Sequence, residues 1–282
     1  MVISIGQVGN DREFLKMWRT LVDPANRMLQ DHRHGNFEIA MVLSGEGVYQ
    51  TVSGTHPIRT GDVFVFPSNE PHWILEIREG GLEIINLHFN DAFFRNHCGI
   101  AQLYPNLFFA HSRGFISRVE RAEPICDLLD RIREELEDPN SESTVCIQSC
   151  LDMLFVCLIR RYGYYFPDDG THRALERIGE SLRYIDEHYT EDITLEQIAA
   201  ASGLSATYFS GLFRECFHTR LWDHVLSKRI DLAKRLLSTE RDITVLSIAL
   251  TCGFHNTANF NKIFLRFTGV TPSQFRKGAI IH

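Results

Sequence analysis

The stretch that decides the fold is Asp192-Ile-Thr-Leu-Glu-Gln-Ile-Ala-Ala-Ala-Ser-Gly203, which returns 50 positions later as Asp242-Ile-Thr-Val-Leu-Ser-Ile-Ala-Leu-Thr-Cys-Gly253. Both copies share an Asp-Ile-Thr start, an Ile-Ala pair and a final glycine. Each is followed by two phenylalanines spaced one helical turn apart. A shared order of this kind indicates one supersecondary unit used twice.

Each copy predicts a helix-turn-helix. Thr194 can cap a first helix by accepting from free backbone N–H groups, and Gln197 completes a capping box. Gly203 follows where the chain needs a left-handed turn, and a second helix begins at about Ser205. In the second copy the matching helix spans about 256–267. Two helices joined by a short turn containing glycine form the DNA-binding arrangement whose second helix enters the major groove.

A long helix predicted over 221–238 separates the two copies and would fix their spacing. Two recognition helices held in this way would enter successive major grooves on one face of DNA, roughly 34 Å apart. The alternative is two helical hairpins of an unrelated bundle, and the duplication argues against it.

DNA contacts are predicted at the outward positions of the two second helices. These positions are Ser205, Ala206, Thr207, Ser210, Gly211, Arg214, His255, Asn256, Thr257, Ala258, Asn261, Lys262 and Arg266. Residues 201–282 contain 11 Lys and Arg against 5 Asp and Glu, as phosphate contacts require. Residues 1–170 contain 15 against 24, so the acidic excess behind the net charge of −7 belongs mainly to the N-terminal part.

The N-terminal half has the pattern of a β-domain. Strands are predicted at 37–43, 48–52, 63–66, 73–75 and 82–89, with turns at 44–47, 53–54, 60–62, 67–69 and 80–81. Many short strands separated by glycine-rich turns indicate a β-barrel or jelly roll. Residues 1–30 are poorly periodic apart from an amphipathic piece around 14–21, and are assigned to an N-terminal arm.

Helices are predicted after the strands. Residues 125–136 have an amphipathic spacing that stops at Asp138-Pro139, and 145–159 are apolar on most faces. The apolar stripe of the first helix is either ordinary core or a dimer seam. Seven cysteines form no CxxC pair, and their odd number argues against a disulfide framework.

Three runs in the second copy carry a family resemblance: 248–254, 258–264 and Thr268-Gly-Val-Thr-Pro-Ser-Gln-Phe-Arg276. They resemble the signature of the AraC/XylS family of bacterial transcription regulators, over roughly residues 175–278. The linker and DNA-binding sequence look most like those of the melibiose and rhamnose regulators. The base-reading positions that the resemblance implies are Thr207, Ser210, Gly211, Thr257, Ala258, Asn261 and Lys262. Gly211 stands where many members place an arginine.

A second resemblance lies in the N-terminal half. His32-Arg-His34, Glu38, Gly45, Gly61, Pro67 and His72 are similar in spacing to the two motifs of the cupin barrel. The resemblance implies an effector-binding barrel, which in metal-dependent cupins holds a divalent metal, here through His32, His34, Glu38 and His72. The favoured alternative is a metal-free pocket. Its predicted lining is His32, Arg33, His34, Glu38, Tyr49, His72 and Trp73.

The expected fold class is α+β with several domains: a cupin-like barrel with helices after it, then an all-α domain of two helix-turn-helix units joined by a long helix. The expected domains are a barrel with its arm at 1–115, a helical dimerisation or packing segment at 116–165, a linker at 166–174 and a DNA-binding domain at 175–282. Within the last domain the units are 194–216 and 244–267, joined by 221–238.

The sequence therefore predicts a ligand-responsive DNA-binding transcription regulator, an activator of carbohydrate-utilisation genes. No catalytic residue and no required cofactor are expected. The expected partners are promoter DNA, a sugar effector, RNA polymerase and a second copy of the chain. The absence of an 18-residue apolar run and of a signal-peptide pattern favours the cytoplasm and no membrane partner. Two alternatives remain: a metal-dependent cupin enzyme fused to a DNA-binding domain, or a constitutive regulator whose barrel only dimerises.

Overall fold

A computed structural model of the chain describes residues 2–10, 13–23, 34–51, 53–68, 70–104, 107, 118–120, 122–164, 169–217, 219–240 and 242–278. The chain divides into two compact units, Met1–Asp168 and Asp169–His282, and each has its own hydrophobic core. The first unit is built on an antiparallel sheet and the second is helical, which confirms the predicted fold class.

Within the described residues, the sheet of the first unit has seven strands. They are β1 (Val2–Gly9), β2 (Phe14–Val22), β3 (Phe37–Thr51), β4 (Gly54–Ile58), β5 (Val63–Phe66), β6 (Trp73–Phe89) and β7 (Arg118–Val119). Their order is β1-β2-β6-β3-β5-β7, with β4 paired to β3 beyond that path, and every pairing is antiparallel.

Two of the predicted turns are bends inside long strands. Strand β3 continues through 44–47 and β6 continues through 80–81, with shifts of register between them at this point. Gly45 has φ +97°, and a Cβ there would lie 2.2 Å from the carbonyl oxygen of Gly81. Glycine therefore lets the two strands approach closely while they stay paired. The glycines that predicted turns lie at β-bulges instead.

The described part of the expected N-terminal arm belongs to the sheet, where it forms β1 and β2. Strand β2 pairs with β6 from Leu15 opposite Phe89 to Val22 opposite Leu82, and β1 pairs with β2. Strand β2 is held in the sheet by its pairing with β6, and the local sequence pattern did not predict this pairing. Strands β4 and β7 were also not predicted, and β7 lies within the segment 116–165 expected to be helical.

The two faces of the sheet differ in character. Residues paired directly across antiparallel strands share a face. Leu15, Phe89 and Phe37 are paired in this way and meet the ring of Phe155 on a helix, with centroid distances of 5.4 Å from Phe37 and 6.0 Å from Phe89. The opposite side carries Lys16, Trp18, Glu38, Asn86 and His88, and we call it the polar face.

The helices of the first unit cover one side of the sheet. They are α1 (Asp91–His97), α2 (Ile100–Leu103), α3 (Glu123–Glu137) and α4 (Ser143–Tyr162), so the two predicted helices are confirmed. Among the described residues, α4 alone is long and apolar enough to cross a membrane. Its inner side chains, including Leu151 and Phe155, are buried in this unit, as expected for a core helix.

The second unit contains seven helices in its described part. They are α5 (Asp169–His188), α6 (Leu195–Ala201), α7 (Ala206–Phe217), α8 (Leu221–Thr239), α9 (Val245–Thr251), α10 (Thr257–Thr268) and α11 (Pro272–Gly278). Helix α5 begins inside the predicted linker 166–174, so at most the start of that stretch can act as a linker.

Local signals place the helix ends of both repeats. Thr194 forms a capping box with Gln197, and Thr244 accepts from the backbone N–H of Ser247. Gly203 and Gly253 have φ of +65° and +81°, the left-handed conformation that the sequence predicted.

One arginine of α8 links the segment after α5 to the second repeat. The Arg229 guanidinium donates to the carbonyl oxygens of Tyr189 at 2.6 Å, Gly253 at 2.6 Å and Glu191 at 2.8 Å. Tyr189 and Glu191 follow α5, whereas Gly253 forms the turn between α9 and α10. The side chain therefore ties the end of the first helix of this unit to the turn of the second repeat.

Candidate DNA-binding surface and effector site

Helices α7 and α10 occupy matching places in the two repeats. Phe209 and Phe213 of α7 are buried, and so are Phe260 and Phe264 of α10. The predicted DNA-contact residues lie on the other sides of these helices and at their starts. All of them are exposed except Ala206 and Thr257, which are half-buried.

Several of these residues have contacts within the second unit. Arg266 pairs with Asp223 at 2.9 Å, and His255 lies 2.9 Å from a carboxylate oxygen of Asp192. Exposed pairs of this kind contribute about 0–1 kcal/mol, so both side chains can turn to phosphate at little cost. Asn256 is the N-cap of α10 and accepts from the backbone N–H of Asn259 at 2.8 Å.

The exposed surface of α7 includes one aromatic residue that the sequence reasoning missed. Tyr208 is 42% exposed, and the Arg177 guanidinium lies 5.0 Å from the centre of its ring. At Gly211, an added Cβ would meet no heavy atom within 4 Å. This position therefore has open space for a longer side chain.

The polar face of the first unit holds a buried cluster around one carboxylate oxygen. Oε2 of Glu38 lies 2.7 Å from Nε2 of His34, 2.9 Å from Nε2 of His88 and 3.1 Å from Nε2 of His72. All four side chains are at most 8% exposed. Three imidazole nitrogens thus converge on a single acceptor.

Strand pairing brings these groups together. Glu38 of β3 is directly opposite His88 of β6, and His34 precedes β3. His72 precedes β6, and its ring stacks on Phe66 with centroids 3.8 Å apart. The Glu38–His88 contact follows from the antiparallel register, in which side chains directly opposite each other are neighbours.

The cluster perturbs the acidity of its own members. Burial raises the pKa of Glu38, but the electrostatic influence of His88 and His72 and the hydrogen bonds of His34 and His72 outweigh burial and hold this pKa well below its usual range. Burial lowers the pKa of His88 to about 3. Burial also opposes the charged form of His72, but Glu38 and the carbonyl of Glu70 raise its pKa overall.

Further groups on the polar face were missed by the sequence reasoning. Lys16 of β2 pairs with His88, and the Trp18 ring lies 4.4 Å from the His88 ring. Asn86 is buried and donates to the Thr20 hydroxyl at 2.9 Å. The alternation of polar and apolar residues along β6 could have predicted that Asn86 and His88 share a face. Lys16 and Trp18 become their neighbours only because β2 pairs with β6.

The predicted effector residues are therefore only partly brought together. His34, Glu38 and His72 meet, whereas His32 and Arg33 lie outside the described residues. Tyr49 packs among apolar residues, 4.6 Å from the Phe64 ring. Burial, with the charge of Glu38, raises the pKa of Tyr49.

Trp73 does not join this cluster. The next residue, Ile74, packs with the apolar residues around Tyr49. Successive strand residues point to opposite faces, so Trp73 lies on the other face of β6. The aromatic residue beside the cluster is Trp18 instead.

Comparison with known proteins agrees with this division into a sheet unit and a helical unit. Residues 21–153 match the family model described as AraC-like ligand binding domain. Residues 198–278 match a helix-turn-helix domain model. The chain belongs to the AraC family of transcription regulators.

Relatives of this AraC-family regulator match it over most of their own lengths. The raffinose operon transcriptional regulatory protein of Pediococcus pentosaceus is 24% identical over 249 residues, which is 86% of this chain and 85% of that protein. The melibiose operon regulatory protein of Escherichia coli is 23% identical over 270 residues, 89% of this chain and 84% of that protein.

Solved structures share the fold of the regulator. ToxT from Vibrio cholerae with a bound unsaturated fatty acid has a TM-score of 0.63 at 14% identity, covering 98% of this chain and 94% of that one. The AraC-family regulator thus combines an effector-binding domain with two helix-turn-helix repeats. It is a ligand-responsive, sequence-specific DNA-binding regulator of transcription.

Proposed function

We propose that the regulator activates carbohydrate-utilisation genes when a sugar binds on the polar face of its first unit. The observation that carries this proposal is the grouping of Trp18, Asn86 and Lys16 beside the buried Glu38 and His88. A sugar offers an apolar ring face and a rim of hydroxyls. An aromatic ring flanked by donors and acceptors suits both.

The relatives add support of a different kind. Two of them are named as regulators of a raffinose operon and a melibiose operon. The ToxT structure of the same fold holds an unsaturated fatty acid, a ligand of opposite character. The polar groups on this face favour a polar effector over a fatty acyl chain, because an acyl chain would exclude water from them without offering a hydrogen bond in return.

A thermal-shift and calorimetry screen tests the effector class. The purified chain is screened against raffinose, melibiose, arabinose and an unsaturated fatty acid. One sugar should raise the melting temperature, and Trp18→Ala should abolish the shift. Trp73→Ala is the matched control and should keep it, because Trp73 lies on the other face of β6. Stabilisation by the fatty acid alone contradicts a sugar effector, and no stabilisation by any compound favours a barrel that only dimerises.

The response must also reach the DNA. We propose that Thr207, Ser210, Asn261 and Lys262 contact base edges and that Arg214 and Arg266 contact phosphates. The affinities for effector and DNA are then linked. If bound sugar changes the affinity for the operator by a given factor, bound operator changes the affinity for the sugar by the same factor. Equal operator affinity with and without the bound sugar, together with unchanged reporter transcription, contradicts this mechanism.

We further propose a cytoplasmic homodimer that recruits RNA polymerase. The outer side of α4 exposes Val145 at 64% and Met153 at 54%, two apolar side chains that a second copy would cover. Sedimentation of the wild-type chain should give a dimer, and Val145→Glu with Met153→Glu should give a monomer. A monomeric wild-type chain contradicts this arrangement.

A further inference from the structure

We propose that His34, Glu38 and His88 bind a divalent first-row transition-metal ion and that His72 positions the Glu38 carboxylate. The donor atoms of these three residues all lie within 4.8 Å of one another, and all three side chains are buried. The proposal rests on the geometry of the cluster. It goes beyond the sugar response and does not depend on it.

The spacing of the donor atoms fits a shared ion. When metal–ligand bonds are about 2.1 Å long, adjacent corners of an octahedron lie about 3.0 Å apart. Oε2 of Glu38 is 2.7 Å from Nε2 of His34 and 2.9 Å from Nε2 of His88. Both separations are close to that edge, so small shifts of the rings would seat an ion.

The second ring nitrogen of His34 has a contact that is typical of metal-binding histidines. Nδ1 of His34 lies 3.1 Å from the carbonyl oxygen of Asn36, which can only accept, so Nδ1 carries a hydrogen. A metal-binding histidine characteristically donates its other ring N–H to a carbonyl in this way. The same ring places Nε2 at 2.7 Å from Oε2 of Glu38.

His88 adds an independent observation. Its Nε2 is buried and has no hydrogen-bond partner among the described residues, although it lies 2.9 Å from Oε2 of Glu38. A buried polar atom without a partner costs about 1–3 kcal/mol. An ion between His88, His34 and Glu38 would remove that cost.

His72 has the contacts of an outer-shell residue. Its Nδ1 lies 2.9 Å from the carbonyl oxygen of Glu70, and its Nε2 lies 3.1 Å from Oε2 of Glu38. Stacking on Phe66 fixes the plane of the ring. A ring held on both sides and donating to a ligating carboxylate keeps that carboxylate in position.

The donor set limits the identity of the ion. Imidazole nitrogens suit Fe, Co, Ni, Cu and Zn, whereas Mg and Ca prefer oxygen ligands. Two histidines and one carboxylate leave coordination positions for water or for an oxygen of the effector. The chemical class is therefore a borderline divalent metal bound as a structural or effector-bridging ion.

The test uses the full-length chain with any affinity tag removed. The metal content of the purified protein is measured, and the chelator-treated protein is titrated with Co(II) by calorimetry and visible absorption. One ion per chain is expected. His88→Gln should weaken Co(II) binding at least about 100-fold, and His72→Gln should weaken it about 10- to 100-fold, as removal of an outer-shell partner does.

His97→Gln is the matched control. His97 also faces a glutamate, with Nε2 3.4 Å from Oε1 of Glu13, but it lies outside the cluster. This variant should bind Co(II) as the wild type does. Circular dichroism and DNA binding of every variant establish that it is folded.

Two results would overturn the metal site: no stoichiometric Co(II) binding by the wild-type chain, or equal affinity in folded His88→Gln and wild type. Sugar binding measured on the same samples keeps the two proposals separate. A chelated protein that still responds to sugar leaves the sugar proposal intact, whereas a metal-loaded protein that binds no sugar contradicts only that proposal.

Discussion

Replacing Arg229 by methionine should destabilise the second unit by about 3 kcal/mol. Methionine keeps the helix propensity and most of the apolar stem of arginine but removes the guanidinium. The three carbonyl oxygens of Tyr189, Glu191 and Gly253 then lose their shared donor. The free energy of unfolding falls because the link between α5 and the second repeat is lost.

The estimate of about 3 kcal/mol counts the carbonyl oxygens that lose their only hydrogen-bond donor among the described residues. The carbonyl of Glu191 also accepts from the backbone N–H of Ile193 at 3.0 Å, so it keeps one bond. The bonds to Tyr189 and Gly253 are part-buried. Hydrogen bonds from charged groups contribute about 1.5–3 kcal/mol each, and two at the lower end give about 3 kcal/mol.

Urea unfolding followed by tryptophan fluorescence measures this loss. The sequence has three tryptophans, of which Trp222 on α8 belongs to the second unit. Trp18→Phe and Trp73→Phe in the full-length chain leave Trp222 as the reporter. Its transition should move to lower urea in Arg229→Met, with an unchanged slope.

Two further variants serve as controls. Arg229→Lys keeps the charge but replaces the planar fork with a point donor, so it should lose about half as much stability. His255→Ala removes an exposed pair whose side chains are 75% and 77% exposed, and should change stability by less than about 0.5 kcal/mol. The reasoning is refuted if Arg229→Met is no less stable than His255→Ala.

Four other substitutions have expected outcomes. Phe155→Ala should lower the stability of the first unit by about 3–5 kcal/mol, because its buried ring meets Phe37 and Phe89. Urea unfolding of a chain that keeps Trp18 and Trp73 as fluorescent reporters measures this loss. Thr194→Ala should cost about 1 kcal/mol through loss of the capping box, whereas Thr194→Ser should cost little. Lys262→Ala should weaken operator binding by about 1–3 kcal/mol if it reads a base, or lower the salt slope by about one unit if it touches phosphate; no change in either places Lys262 off the interface. Gly211→Arg should tighten operator binding, because open space surrounds this position and arginine adds a guanine-reading fork; unchanged affinity contradicts a groove-facing α7.

The helical half could be predicted from sequence because its signals are local. Thr194 and Gly203 mark the ends of α6 through interactions with residues three to five positions away. The spacing of Phe209 and Phe213 then fixes the buried side of α7. Each of these features is repeated in the second copy, so every local inference had an internal check.

The sheet half was less predictable because its order comes from pairing between distant strands. The sequence around Lys16 gives no sign that β6 will lie beside it. Gly45 and Gly81 resemble turn residues until the partner strand shows that they allow a close crossing. His88 was missed for the same reason, since only its register with Glu38 makes it a member of the cluster.

The cap at the start of α10 has a consequence for base recognition. Recognition of adenine by asparagine requires both the amide oxygen and the amide nitrogen of one side chain. Asn256 has its oxygen committed to the backbone N–H of Asn259, so only its amide hydrogens remain to be offered. Asn261 is exposed within the same helix. Of these two asparagines, Asn261 is therefore the one suited to discriminate adenine, and Asn256 is suited to a phosphate oxygen. In a selection of binding sites from random DNA, Asn261→Ala should lose the preference for adenine at one position. Asn256→Asp should keep that preference but bind all sequences more weakly.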